Sequence, residues 1–376
     1  MERATPQLSA PTARFAPLSQ GLPFFHRSYR DHSDCAEDLD EKLRRMRVAL
    51  ERLVGIEYET VENCIRAGMF YEKGMMEKAH FFAAKAVGGV HDDTSLETAF
   101  CAYMIFASAL YAMHRISAAD ELVEGVHAHL LAQENAYLLA NLRAFTAQRK
   151  FCGGDAAAAR AWLASGLGDP EDGNLFLYNI YCHFTTAKAY IVTGATGTAI
   201  PFTEKLLSFC EAYNRPLDII DASLLLSIAL RKEKRAREAD SALVRAVEIA
   251  QRYGFVQPFV AESAKLSADL GRLSHRLLQP QFKDKLDSVF VKSLYFATLR
   301  AARQKHALPE TEKPRLSARQ LELIRLLASG YSYQEISEKT GIKISTIKTY
   351  LRIAYQKLGA VNKREAVAKA AAFGLV

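Results

Sequence analysis

The chain has 376 residues, 49% of them hydrophobic and 24% charged, which suits a globular protein of two or three domains with a sizeable core. No apolar run approaches the roughly 18 residues of a membrane-spanning helix, and the start, "MERATPQLSAPTARFAPLSQG", lacks the continuous apolar core of a secretory leader. The formal net charge of +7 falls on one end, because residues 313–376 carry twelve Lys and Arg against four Glu; that bias points to a polyanion-binding module joined to a neutral body.

Residues 1–33 read as a flexible N-terminal arm rich in Pro, Ser and Ala. A single helical stretch, "CAEDLDEKLRRMRVALERLVG", follows it. The six cysteines (Cys35, Cys64, Cys101, Cys152, Cys182, Cys210) form no CxxC and sit in apolar helical stretches. That spacing suits reduced core packing in a cytoplasmic protein rather than disulfides or zinc ligation.

Residues 34–303 read as one helical-repeat domain, within which a pattern recurs with a step of forty. Ala79, Ala119, Ala159, Ala199 and Ala239 form one column, and Gly74, His114, Gly154, Gly194 and Lys234 form a turn-like column five residues earlier. Tyr71, Tyr111, Phe151, Ile191 and Arg231 make a third column, and Ala67, Ala107, Ala147, Ala187 and Ser227 a column of small residues. Phe82, Leu122, Trp162, Phe202 and Ala242 supply mostly bulky partners. Each unit reads as two antiparallel helices: apolar residues recur at three- and four-residue spacing on both sides of Gly74. Small residues allow close approach, and no unit buries its face alone, so the units stack into an all-α solenoid. The repeat resembles the tetratricopeptide-like family, with a step longer than the usual 34 residues. Loops such as "GGVHDDTS" and "GLGDPEDGN" accommodate the excess.

Beyond the repeats, "YGFVQPFVAESAKLSADLGRLSHRLL" reads as a helix opened by Pro258, and "QFKDKLDSVFVKSLYFATLRAARQK" as another. The stretch "AVEIAQRYGFVQPFVAES" resembles the end of the solenoid in MalT-like transcription regulators. That family normally places an ATPase module before its solenoid, whereas here the arm and the first helix occupy that place. Residues 304–315, with two prolines and alternating charges, read as a linker.

Residues 316–376 read as four short helices. Ser317 with Gln320, Ser332 with Glu335 and Asn362 with Glu365 have capping-box spacing, and Gly330 and Gly341 suit helix ends. Leu321, Ile324, Leu327 and Ala328 give the first helix its stripe. On the third helix, about residues 344–358, Ile347, Leu351, Ala354 and Leu358 face inward, while Ser345, Thr346, Lys348, Thr349, Arg352 and Gln356 face out. Lys348 and Arg352 are neighbours one turn apart, and no acid lies between Ile344 and Leu358. Such a helix fits the major groove of double-stranded DNA.

The segment resembles the LuxR-type helix-turn-helix family through "LSARQ", "LIRLLASGYSYQEISEKTGI", "STIKTYL", "KLGA" and "NKREAVAKA". The resemblance implies that Lys348, Thr349 and Arg352 approach bases. It also implies that Ser345, Thr346, Lys357, Lys363 and Arg364 hold phosphates, and that the final helix carries a homodimer contact. Four positions depart from the family pattern: Lys343 replaces a capping Ser or Thr, Ile344 an acid, Tyr350 a His and Ile353 an Asn.

Other features point elsewhere or nowhere. His127 and His129 are two apart and point away from each other on a helix, and no P-loop, receiver-domain pattern or nucleophile–base pair appears. The expectation is therefore no enzyme, no cofactor and no metal site. The expected whole is an all-α regulator: a helical-repeat solenoid that binds a small-molecule or protein effector, docks a partner or oligomerises, followed by a DNA-binding module. The alternative is a repeat scaffold whose terminal helices contact RNA polymerase, as in a sigma-like adaptor, rather than an operator.

Overall fold

The structure is a computed structural model that describes residues 22–28, 39–277, 285–306, 316–358, 360 and 362–372. Two compact units divide the chain, Met1–Leu299 and Arg300–Val376. Among the described residues the architecture is helical throughout, without a β-strand, and no helix is long and apolar enough to cross a membrane.

In the first unit, α1 (Leu39–Val54) precedes five helix pairs. These are α2 (Tyr58–Glu72) with α3 (Met76–Gly88), α4 (Leu96–Ala112) with α5 (Ile116–Ala132), and α6 (Ala136–Cys152) with α7 (Ala156–Ser165). Then come α8 (Ile180–Thr193) with α9 (Thr196–Ala212) and α10 (Pro216–Lys232) with α11 (Ala236–Tyr253). The second helix of every pair begins forty residues after the last, at Met76, Ile116, Ala156, Thr196 and Ala236. The turn column explains the register. Gly74, His114, Gly154, Gly194 and Lys234 all adopt left-handed φ between 59° and 82°. Glycine takes that conformation freely, whereas His114 and Lys234 hold it at a conformational cost.

Five residues past each turn the alanine column is sealed, with all five side chains at 0% exposure. A residue this small lets the two helices of a pair approach closely. In the last pair this contact includes a hydrogen bond, Ser227 Oγ–H donating to the Ala239 carbonyl at 2.8 Å. Trp162 is core, its indole N–H donating to Thr186 Oγ1 at 2.9 Å. Cys64, Cys101, Cys182 and Cys210 are buried free thiols; Cys152, at the end of α6, is exposed, and Cys35 lies outside the described residues.

After Gly254 the single helix expected from Tyr253 onward is two: α12 (Gln257–Ala261), with Pro258 in its first turn, and α13 (Ser263–Arg276). They meet at Glu262, whose ψ of 20° departs from the helical value. The repeat winds back on itself here. Val256 N–H donates to the Glu72 carbonyl at 2.8 Å, and Gln257 Nε2–H to Tyr71 Oη at 3.2 Å, so the end of the fifth pair meets the end of α2. Helix α14 (Ser288–His306) completes the series.

The expected flexible arm needs correction over residues 22–28; residues 1–21 and 29–33 lie outside the described residues. Phe25–Ser28 form a 3₁₀ turn, and Leu22, Phe25 and His26 are all buried. This segment touches the first helix of every pair. Leu22 O accepts from Cys101 Sγ of α4 at 3.2 Å. The Phe24 ring lies 5.9 Å from Tyr71, 6.4 Å from Phe145 and 5.9 Å from Tyr181, on α2, α6 and α8. Arg27 donates through Nε to Glu72 Oε1 at 2.9 Å and pairs with Asp221 of α10. Composition alone hides this, because "LPFF" is an apolar island in a polar stretch, and burying its rings repays the ordering cost. Gly68 of α2 makes room for it: a Cβ there would stand 2.2 Å from His26 Nδ1. A mid-helix glycine costs about 0.5–1 kcal/mol relative to alanine, so the close approach to His26 gives it a packing reason.

Burial would raise the Glu72 carboxyl, but the Arg27 charge and the bonds from His26 and Arg27 outweigh it and bring it to about 2. Glu72 is thus ionised and acceptor-only, so His26 Nε2–H is the donor in their 3.2 Å contact. Burial holds the His26 imidazole below its usual 6.5, an effect that the Glu72 bond only partly offsets. Folding therefore favours neutral His26, a contribution present above pH 6.5 and lost as the pH falls through the lower folded value. Acidification from about pH 7 to about pH 5 is expected to lower the unfolding midpoint followed by circular dichroism, and the non-titrating His26→Gln to flatten that dependence.

Candidate nucleic-acid interface

The second unit holds α15 (Ala318–Ala328), α16 (Tyr333–Thr340), α17 (Ile344–Leu358) and α18 (Lys363–Ala372). Two reciprocal capping boxes fix its start points. Gln320 N–H donates to Ser317 Oγ at 3.2 Å while Ser317 N–H donates to Gln320 Oε1 at 3.0 Å. Glu335 N–H donates to Ser332 Oγ at 3.3 Å, and Ser332 N–H to Glu335 Oε2 at 2.7 Å. That backbone bond holds the Glu335 carboxyl below its usual range. At the third box Glu365 N–H donates to Asn362 Oδ1 at 2.9 Å, and the Glu365 carboxylate pairs with Lys369 at 2.9 Å. Gly330 and Gly341 adopt the left-handed φ of 91° and 67° that ends α15 and α16.

The small core comprises Leu323, Ile324, Leu327, Ile336, Ile347, Leu351, Ala354, Leu358, Ala360, Ala366 and Ala370. All four α17 residues expected to face inward do so. On α15 the buried stripe differs by one step: Leu323 is at 0% exposure, Leu321 is half-buried and Ala328 is exposed. The alternating charge of "RQLELIR" masks that phase, because Leu321 and Leu323 fit rival helical stripes.

Core burial on one side of α17 leaves a polar row on the other. Ser345, Thr346, Lys348, Thr349 and Arg352 are all exposed. Thr349 Oγ1–H donates to the Ser345 carbonyl at 3.1 Å, which steadies its rotamer. Among the described residues no carboxylate lies within ion-pair distance of Lys348 or Arg352. Two like charges one turn apart destabilise a helix by about 0.2–0.5 kcal/mol, so the arrangement favours an external anion.

The remaining expected residues sit differently. Lys357 is half-buried and its Nζ donates to Gln320 Oε1 at 3.0 Å, tying the end of α17 to the first capping box. Lys363 is exposed with its Nζ 3.5 Å from the Tyr331 carbonyl. Arg364 lies in the first turn of α18, and its side chain is outside the described residues, as is that of Gln356. Lys343, considered in the sequence only as a missing cap, is an exposed cation at the entry to α17, beside Ser345 and Thr346. A charged residue next to an N-terminal turn is the signal that would have found it. His127 and His129 are both exposed on α5, and among the described residues no group of three His, Cys, Asp or Glu is arranged to hold a metal ion.

Comparison with known proteins agrees with this architecture. Residues 58–276 match the model of the MalT-like TPR region, and residues 314–370 that of bacterial regulatory proteins of the luxR family. The first match spans more than half of the chain, which therefore belongs to the MalT-like TPR family, with a luxR-family module at its end. Similar proteins include the HTH-type transcriptional regulator MalT of Klebsiella pneumoniae subsp. pneumoniae, 27% identical over 226 residues, 57% of this chain and 25% of that protein. The protein of the same name from Yersinia enterocolitica is 26% identical over 229 residues, 58% of this chain and 25% of its own. The matched region is thus about a quarter of the length of these curated relatives.

Removing the Ser332 hydroxyl leaves an orphan N–H at the start of α16. Ser332→Ala is expected to cost about 1 kcal/mol, which hydrogen exchange reads as roughly fivefold weaker protection of the α16 and α17 amides.

Proposed function

We propose that the chain is a bacterial DNA-binding transcription regulator, a cytoplasmic protein that acts by binding rather than by catalysis. The observation that carries this reading is the exposed row on α17, cationic and hydroxylated, with no carboxylate among the described residues in reach of its two central charges. Helix α17 enters the major groove, with Lys348, Thr349 and Arg352 reading base edges and Ser345 and Thr346 holding phosphates. Lys363 and Arg364 add backbone contacts, and Lys343 joins them. Lys357 contributes a charge near the phosphates while bracing α17. Helix α18 carries the homodimer contact, so that two recognition helices meet two half-sites.

The division of labour follows the sequence: 1–33 an N-terminal segment, 34–303 the repeat domain, 304–315 a linker and 316–376 the DNA-binding module. The repeat domain senses an effector, docks a partner or oligomerises. The neutral charge of the body and its repeat architecture support this, since stacked pairs expose a continuous inner face.

Lys348→Ala and Arg352→Ala each remove about 1–3 kcal/mol of operator binding, so the double variant is expected to lose at least about thirtyfold in a gel-shift titration. Its far-ultraviolet circular dichroism stays unchanged, because both side chains are solvated. Normal operator affinity in that variant overturns the site assignment.

A further inference from the structure

Residues 22–27 occupy the face that all five pairs share, and the manner of occupation resembles that of a ligand. One turn makes the contact: Arg27 N–H donates to the Phe24 carbonyl at 3.0 Å, and the guanidinium folds back over the Phe24 ring at 5.6 Å. The ring enters an aromatic niche of Tyr71, Phe145 and Tyr181. The guanidinium reaches Glu72 and Asp221, with Asp218 at 3.8 Å. Asp218 has its own partner, Arg215 at 2.5 Å. Glu72 and Asp221 do not: among the described residues Arg27 is the cation within ion-pair distance of both, and neutral His26 adds a hydrogen bond to Glu72, both from the segment. Without the segment the buried carboxylate of Glu72 and the partly exposed one of Asp221 lose these partners, leaving Asp221 the more distant charge of Lys188, so the inner face favours a cation.

The fit is incomplete in one respect. Glu72 is at 0% exposure, and among the described residues its Oε2 finds no hydrogen-bond donor. Arg27 offers Glu72 only its Nε, to Oε1, because its NH1 turns to Asp221. A guanidinium free of the tether's constraint could satisfy both oxygens of Glu72 in the bidentate arrangement that carboxylates favour. Buried ion pairs contribute little net stability compared with apolar packing but discriminate sharply among partners, which suits recognition better than scaffolding.

We propose that the inner face of the repeat domain is a binding site for a peptide bearing a Phe-x-x-Arg turn, and that Phe24–Arg27 of this chain fills it as an internal stand-in displaced when such a peptide arrives. The niche takes the aromatic ring, Glu72 and Asp221 take the guanidinium, and the space over Gly68 takes the side chain just before the arginine. This deepens the sensing role assigned above to the repeat domain and rests on it.

The test uses the full chain with Phe24→Ala and Arg27→Gln combined, and a fluorescein-labelled peptide "GLPFFHRS", the sequence of residues 21–28. Fluorescence anisotropy is expected to show the peptide binding the double variant at least tenfold more tightly than the wild-type chain. The peptide "GLPFFHQS" should bind at least tenfold more weakly. A folded double variant that binds neither peptide, or both equally, overturns the proposal. Should the double variant fail to fold, hydrogen exchange on the wild-type chain decides. Amides of residues 24–27 exchanging at least tenfold faster than those of α10 support a displaceable segment, and equal protection makes it a fixed core element. Operator affinity in the same samples separates the two levels: a peptide that binds without changing it upholds the site and removes its sensing role.

Discussion

Two helices pack only as closely as the side chains at their crossing allow, and in this protein that limit is one methyl group. At Ala79, Ala119, Ala159, Ala199 and Ala239 the second helix of each pair lies against the first with nothing exposed. Each alanine stands five residues past a left-handed turn, so a single backbone conformation sets the register and a single small residue sets the distance. Repeated every forty residues, the pair generates the stack, the inner face and the closure in which Val256 meets Glu72. A larger residue at one of these crossings would force strain of about 1–3 kcal/mol into a packing that cannot relax locally.

Much of this was legible in the amino acids, for a physical reason. The turn column mixes Gly, His and Lys, yet all five residues share one backbone conformation, and spacing rather than identity revealed it. Arg231 breaks its apolar column and bonds to Asp240 at 2.5 Å and to Asp269 of α13 at 3.0 Å, partners that the column does not encode. The buried segment at residues 22–27 was not legible. Its anchors are carboxylates about 45 and 194 positions away in the chain, and no local periodicity encodes such partners. In the terminal module, caps and glycines located the helices, whereas the tie between Lys357 and Gln320 depends on how α17 crosses α15, which spacing does not specify.

The two units divide the physics cleanly. In the first, the enclosed carboxylates of the inner face are met by an internal cation, with Glu72 and Asp221 sharing Arg27. In the second, caps and a small apolar core stiffen α17 from behind, and among the described residues Lys348 and Arg352 on its outward face meet no acid. The function proposed above uses both arrangements: an enclosed face to distinguish one ligand from another, and an open face whose charges are reserved for a polyanion.

The central claim is that the open face of α17 grips the phosphate backbone of a duplex, and the salt dependence of binding tests it most directly. Each neutralised phosphate releases counterions, so a plot of log affinity against log salt for an operator fragment is predicted to fall with a slope of about −4 or steeper. Affinity that stays within about twofold between about 50 and 200 mM salt would contradict the account.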